Sequence, residues 1–262
     1  MIEARETDIE SHQHQLNIFR LADRPGRRYE KMRPHGAGDN GVLWARACDE
    51  HYQAFGDYER QAEDILGFLG ADAQRTCVDV GGGAGAYALH AARYYRNIHA
   101  GHISRAMLDC THPKGGKARL TNIALDRGGF LHYDHSPKEK SVDAIVSVAV
   151  LHDPADFWKL VGLRRLASML KPDGRFYLLD VVLSFNIARY ESHLRQFVES
   201  LRGPAQSQAS LRDQYRIARP IIEVLFERVG LQRETADVAD EFLAVYSCAR
   251  PATHKSGVGL DV

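Results

Sequence analysis

The chain has no excess of either charge: 34 Lys and Arg stand against 34 Asp and Glu in 262 residues. That balance removes the general electrostatic pull toward nucleic acid or an anionic membrane. No run approaches the roughly 18 apolar residues that a membrane span needs. The opening Met1-Ile2-Glu3-Ala4-Arg5-Glu6 carries no apolar signal core. Cysteine is scarce. Cys48, Cys77, Cys110 and Cys248 are the only four, and none forms a C-x-x-C pair. They offer no disulfide framework and no zinc finger, which points to a reducing, cytoplasmic setting. Repeats and low-complexity blocks are also missing. Histidine is plentiful at 13 residues. The pairs His12/His14, His99/His102 and His132/His135 nevertheless supply no set of three or four ligands, so no metal is expected.

The richest stretch is Cys77-Val78-Asp79-Val80-Gly81-Gly82-Gly83-Ala84-Gly85-Ala86. A strand-like apolar segment runs into four glycines within five positions. Tyr87 to Arg93 then reads as a helix. Glycines let a ligand approach the backbone closely, and the helix start offers unpaired N–H groups. Two ligand classes compete for such a cradle. Gly81-x-Gly83-x-x-Ala86 satisfies the glycine part of a dinucleotide fingerprint, which also wants an acid about 20 residues later. Asp79 favours the other class, because a carboxylate at the mouth of the loop repels a pyrophosphate and attracts an ammonium group.

Elsewhere strands and helices alternate. Ala62, Ile65, Leu66 and Leu69 share a helical face closed by Gly70. Strands are expected at Thr76–Val80, Asn97–His102, Gly129–Asp134, Val142–Val150 and Arg175–Val182. Pro113, Gly115 and Gly116 should interrupt the helix between the second and third strands. Asp153-Pro154 reads as the N-cap and first turn of a helix with Phe157, Leu160, Val161, Leu166 and Leu170 inward. That helix should stop at Lys171-Pro172-Asp173-Gly174. Near the end, Leu231–Thr235 and Phe242–Ala249 suit an antiparallel pair. The alternation predicts an α/β fold: a doubly wound, mostly parallel sheet.

Taken together the motifs resemble class I S-adenosylmethionine-dependent methyltransferases of small-molecule type. The spacing from Asp79 to Gly85 is similar to their first motif. Val142–Ser147 with Val150-Leu151-His152 is similar to their fourth-strand motif. Leu170-Lys171-Pro172-Asp173-Gly174 is similar to the segment before their fifth strand. The similarity runs from about Tyr58 to Ala249. It implies a seven-stranded, Rossmann-like sheet with a C-terminal antiparallel hairpin. Residues 1–58 would be an N-terminal arm and helical lid, 59–250 the methyltransferase domain with a lid insertion at about 184–210, and 251–262 a loose tail.

The resemblance implies S-adenosyl-L-methionine as cofactor and a small-molecule methyl acceptor as partner. Asp79, Gly81, Gly82, Gly83, Gly85, His102, Ile103, Asp134 and Val148 would bind the cofactor. His152 would be the general base, at the carboxyl end of the fourth strand, where open sheets place ligands. One residue departs from the pattern. Such enzymes end the second strand with an acid that accepts both ribose hydroxyls, whereas this chain has His102. A neutral imidazole accepts through one nitrogen only. Weaker cofactor binding is therefore expected, as is an alternative in which the fold holds a modified ligand or has lost catalysis. A nicotinamide-dependent oxidoreductase is the further alternative.

Overall fold

A computed structural model describes residues 58–131, 137–184, 187–200, 215–238 and 242–252. Residues 1–57 of the N-terminal arm, residues 185–186 and 201–210 of the lid insertion, the tail beyond 252 and Asp134 lie outside the described residues. Helix α1 (Tyr58–Leu69) precedes β1 (Thr76–Val80), followed by α2 (Ala86–Ala91) and β2 (Asn97–His102). Next come α3 (Arg105–Lys117), β3 (Ile123–Arg127), β4 (Val142–Val148), α4 (Asp156–Met169) and β5 (Leu170–Leu183). A 3-10 turn and α5 (Tyr190–Ser200) lead to β6 (Ile217–Ala218), α6 (Arg219–Arg228), β7 (Gln232–Val238) and β8 (Leu243–Ala249).

The sheet runs β3-β2-β1-β4-β5-β8-β7, with short β6 beside the end of β5. The first five strands in that path are mutually parallel, while β8 is antiparallel to β5 and to β7. The expected doubly wound sheet with a closing hairpin is therefore present. The period-two side-chain alternation explains why both faces are covered. Val78, Val80, Ile145, Phe176 and Leu178 face α4 and α6, where Leu163, Leu166, Ile222 and Phe226 meet them. Cys77, Ile98, Ala144, Val146 and Tyr177 face α1 and α2, meeting Ile65, Leu69, Tyr87 and Ala88. After β1 the chain builds β2 and β3 on one side, then crosses to place β4 on the other. Strands β1 and β4 flank that reversal, the place where open sheets of this kind bind ligands, outside the carboxyl ends of their parallel strands.

Four local expectations change. The third strand is Ile123–Arg127, whereas Gly129, Phe130 and Leu131, the described part of the expected Gly129–Asp134, form none; Phe130 and Leu131 instead bury themselves against α4. Helix α3 runs unbroken through Pro113, Gly115 and Gly116. Its buried Met107 and Thr111 tie it to the body, and tertiary packing overrides the poor propensity of the sequence. Helix α4 begins at Asp156 with Ala155 as N-cap, so Asp153 is not the cap. Its inward face is Lys159, Gly162, Leu163, Leu166 and Ala167, while Phe157 and Val161 are exposed. Finally, Lys171–Gly174 bulges within the long β5: Val142 pairs with Leu170, but Ala144 pairs with Arg175. Lys171 Nζ binds both Asp143 carboxylate oxygens at 2.8 Å across that bulge.

Candidate functional site

The glycine loop hangs from the end of β2. The N–H groups of Gly81 and Gly82 donate to the Gly101 carbonyl at 2.8 and 3.2 Å. The Gly85 N–H donates to the Gly82 carbonyl at 2.8 Å. Gly85 is left-handed at φ 81°, and a Cβ there would lie 2.2 Å from Thr111 Cγ2. That position needs glycine both for its backbone angle and for the close approach of α3. Gly83 differs. Its φ is 54°, yet a Cβ would meet nothing within 4 Å. It is the loop position that faces open space.

Asp79 stands beneath this loop, not at its mouth. The side chain is buried, and Oδ2 touches no hydrogen-bond partner. A Cβ on Gly82 would come within 2.4 Å of that oxygen. Burial pushes the carboxyl up to about 7, while the backbone N–H of Ala88 donates to it and pulls the other way. A buried carboxylate with one oxygen unpartnered is costly unless a cation meets it or a proton neutralises it.

On the β2 side, His102 is half-buried and its Nδ1 accepts the Ser104 N–H at 2.9 Å. The ring thus closes the turn into α3. In the neutral ring the proton then resides on Nε2, which donates. Ile103 is half-buried beside it. The buried acid of the third strand is Asp126, in register with Gly101 and 3.6 Å from His99 Nδ1. The sequence reading missed it by placing the strand too late.

On the β4 side, Val148 ends the strand half-buried. Ala149 is exposed with φ 55°, a strained angle for a residue with a Cβ. Val150 follows and leans on the loop: the Cβ absent from Gly81 would lie 2.3 Å from its Cγ2. One buried carboxylate holds this turn. Asp180 Oδ2 accepts the N–H groups of Val150 and Leu151 at 2.9 and 2.6 Å. Its Oδ1 meets His152 Nδ1 at 2.6 Å and accepts the Val181 N–H at 2.7 Å. His152 Nε2 lies 3.7 Å from Asp153 Oδ1. Burial works against a charged His152 ring, but the Asp180 carboxylate outweighs it, and the net shift is upward. Asp180 was legible only as an acid inside an otherwise apolar strand.

A second unforeseen group is Lys159, fully buried on α4. Its Nζ donates to the Pro154 carbonyl at 2.6 Å, to Asp156 Oδ1 at 3.0 Å and to the Tyr215 carbonyl. It pins the turn after His152 to the chain's return beside β6. Among the described residues, no group of three or more His, Cys, Asp or Glu could hold a metal ion.

A fold with this strand order and a glycine loop at its reversal point is that of the class I methyltransferases. Residues 78–178 match the family model of a methyltransferase domain. Over that stretch the chain is thus similar to a methyltransferase domain, and its fold is the Rossmann-like one of S-adenosylmethionine-dependent methyltransferases. No curated protein matches it in sequence. Among solved structures it is similar to geranyl diphosphate C-methyltransferase from Streptomyces coelicolor A3(2), crystallised with S-adenosyl-L-homocysteine. The TM-score is 0.57 at 15% identity, covering 73% of this chain and 75% of that one. A putative sarcosine dimethylglycine methyltransferase from Galdieria sulphuraria gives 0.57 at 15% identity, over 74% and 85%. The [4+2]-cyclase SpnF gives 0.58 at 12% identity, over 74% and 81%.

Proposed function

We propose that the chain transfers a methyl group from S-adenosylmethionine to a small-molecule acceptor, in the cytoplasm. The observation that carries this reading is the buried Asp79 carboxylate, with Oδ2 unpartnered, under a glycine loop at the switch point of the sheet. A zwitterionic amino-acid group suits that site; a pyrophosphate, as in a nicotinamide dinucleotide, does not. Neighbours of the same fold include S-adenosyl enzymes, one acting on a small prenyl diphosphate by its name. When bound, the cofactor supplies a methyl group already activated on a sulfonium.

The chain's own work is then placement and proton handling. Gly83 leaves room for the amino-acid end, while Gly81, Gly82 and Gly85 shape the loop by letting it close on Val150, Asp79 and Thr111. His102 and Ile103 flank the ribose from β2, and Val148 lines the crevice from β4. Asp134, which lies outside the described residues, is proposed to receive the adenine amino group. Orientation of an acceptor in line with the methyl group can supply about 7–11 kcal/mol. His152 is the proposed general base. Its Nδ1–H donates to Asp180, which leaves Nε2 to take the acceptor's proton, with Asp153 near the resulting charge.

His102 supports a second reading. Its Nδ1 is engaged by Ser104, so the ring does not accept both ribose hydroxyls as a carboxylate would. A modified ligand or a reaction other than methyl transfer fits that difference, and a cyclase shares the fold. Incubation with labelled S-adenosylmethionine and a panel of small oxygen, nitrogen, sulfur and carbon nucleophiles tests the first reading. Labelled product that vanishes in His152→Asn is expected. Tight S-adenosylmethionine binding with no transfer to any acceptor would favour the second.

A further inference from the structure

Asp79 has a physical predicament that the reaction itself does not explain. Among the described residues, the groups that face it carry no charge at ordinary pH. Ala88 N–H donates from α2, and Tyr87 of the same helix lies close enough to feel its charge. Cys77 stands two positions back on β1, its thiol pushed up by burial and then by Asp79. The strand neighbours in register are Ala100 on β2 and Val146 on β4. No ion pair ties the carboxylate to a basic side chain among the described residues, and Oδ2 has no hydrogen-bond partner.

Resting on the methyl-donor reading above, we propose that Asp79 is a proton-exchange site: it holds a proton on the ligand-free protein and releases it to solvent when a ligand ammonium group arrives beside it. Ligand binding is then coupled to proton release. The balance is simple. One O–H bond at the carboxyl breaks, its proton goes to buffer, and the new carboxylate faces the ligand cation. Burial supplies the reason for the resting proton, and an incoming ammonium supplies the reason to lose it, because an opposite charge close by favours the ionised form. The position of the carboxyl near 7 places this exchange where small pH changes matter. The S-adenosyl ligand should bind about eightfold more weakly at about pH 6 than at about pH 7.5, if the bound carboxylate is fully ionised. A nicotinamide dinucleotide, which lacks an ammonium group, should cause no such release.

The test is isothermal titration of the full chain with S-adenosylhomocysteine in phosphate and in an amine buffer matched in pH. The two buffers differ in ionisation enthalpy, so the difference in heat counts protons. Release of roughly 0.9 proton per site at about pH 6, falling to roughly 0.2 at about pH 7.5, is expected. Release should disappear in Asp79→Asn, which separates it from titration of His102 or His152. Should that variant fail to fold, carboxyl carbon resonances of wild-type protein answer the same question: Asp79 should titrate near neutrality without ligand and be ionised with it. Saturable binding with no proton release at about pH 6 overturns the proposal while leaving the methyl-donor reading intact. The same holds if Asp79→Asn releases as much as wild type, or if its resonance is ionised at about pH 6 without ligand. No binding in either buffer overturns both.

Discussion

Two buried carboxylates of the same fold illustrate opposite uses of one side chain. Asp180 takes four donors and gives order: it fixes Val150, Leu151 and His152 at the end of β4. Asp79 takes one donor and is left with a bare oxygen. Removing each should therefore have opposite effects on the ligand-free protein. The raised Asp79 carboxyl keeps its proton well above the ordinary carboxylate range, so its contribution to stability is full below that range and is lost as pH climbs from there through about 7. Asp79→Asn should stabilise the ligand-free chain by about 1–3 kcal/mol at pH 8 and by far less near pH 4, read by chemical denaturation at both pH values. Asp180→Asn should cost about 3–5 kcal/mol, because it leaves backbone donors and an imidazole without their charge partner. The His152 ring, raised in the folded state, contributes stability fully below its ordinary range that is lost as pH rises through the folded value. The loss caused by His152→Asn should accordingly shrink as the pH is raised past neutrality.

Among the elements, the glycine loop separates architecture from ligand space. Gly85→Ala collides with Thr111 at a left-handed angle, so it should lower the melting temperature by several degrees. Gly83→Ala meets only the angle penalty, about 1 kcal/mol. It should lower the melting temperature by only about 2–4 °C while weakening S-adenosylhomocysteine binding, since its Cβ would enter the open side of the loop. Helix α4 shows where pattern reading fails. Its sequence offers Phe157, Leu160 and Val161 as an inward face, but a lysine takes that side. Lys159 is buried because three oxygens converge on its ammonium, a long-range arrangement that local periodicity does not encode. Lys159→Ala strands those acceptors and should destabilise the chain by about 3 kcal/mol, read by denaturant midpoint. The third strand was misplaced for a similar reason. Ile123–Arg127 alternates weakly, while Phe130 and Leu131 look like strand yet pack as a loop against α4.

For the whole molecule, the order of strands was the most legible feature. Alternating strand and helix signals with a late antiparallel pair leave few topologies for a sheet buried on both faces. The glycine-rich turn after β1 located the crevice for a simple reason: only a close backbone approach requires so many glycines at one strand end. What the sequence hid was the depth of its acids. Asp79 reads as a gatepost in the linear chain and proves to be a buried floor, and Asp126 and Asp180 reveal themselves only once their strands are paired. The acceptor is a matter of the segments that rise over the carboxyl edge, since many chemistries share this sheet. If the crevice is an S-adenosyl site, ligand binding to the native state alone should raise the melting temperature in proportion to the logarithm of ligand concentration.

The most direct measurement is titration of the full chain with S-adenosylhomocysteine at about pH 7.5, followed by calorimetry. The account predicts one saturable site per chain, weakened sharply in Gly83→Ala. A flat titration up to millimolar ligand would contradict it.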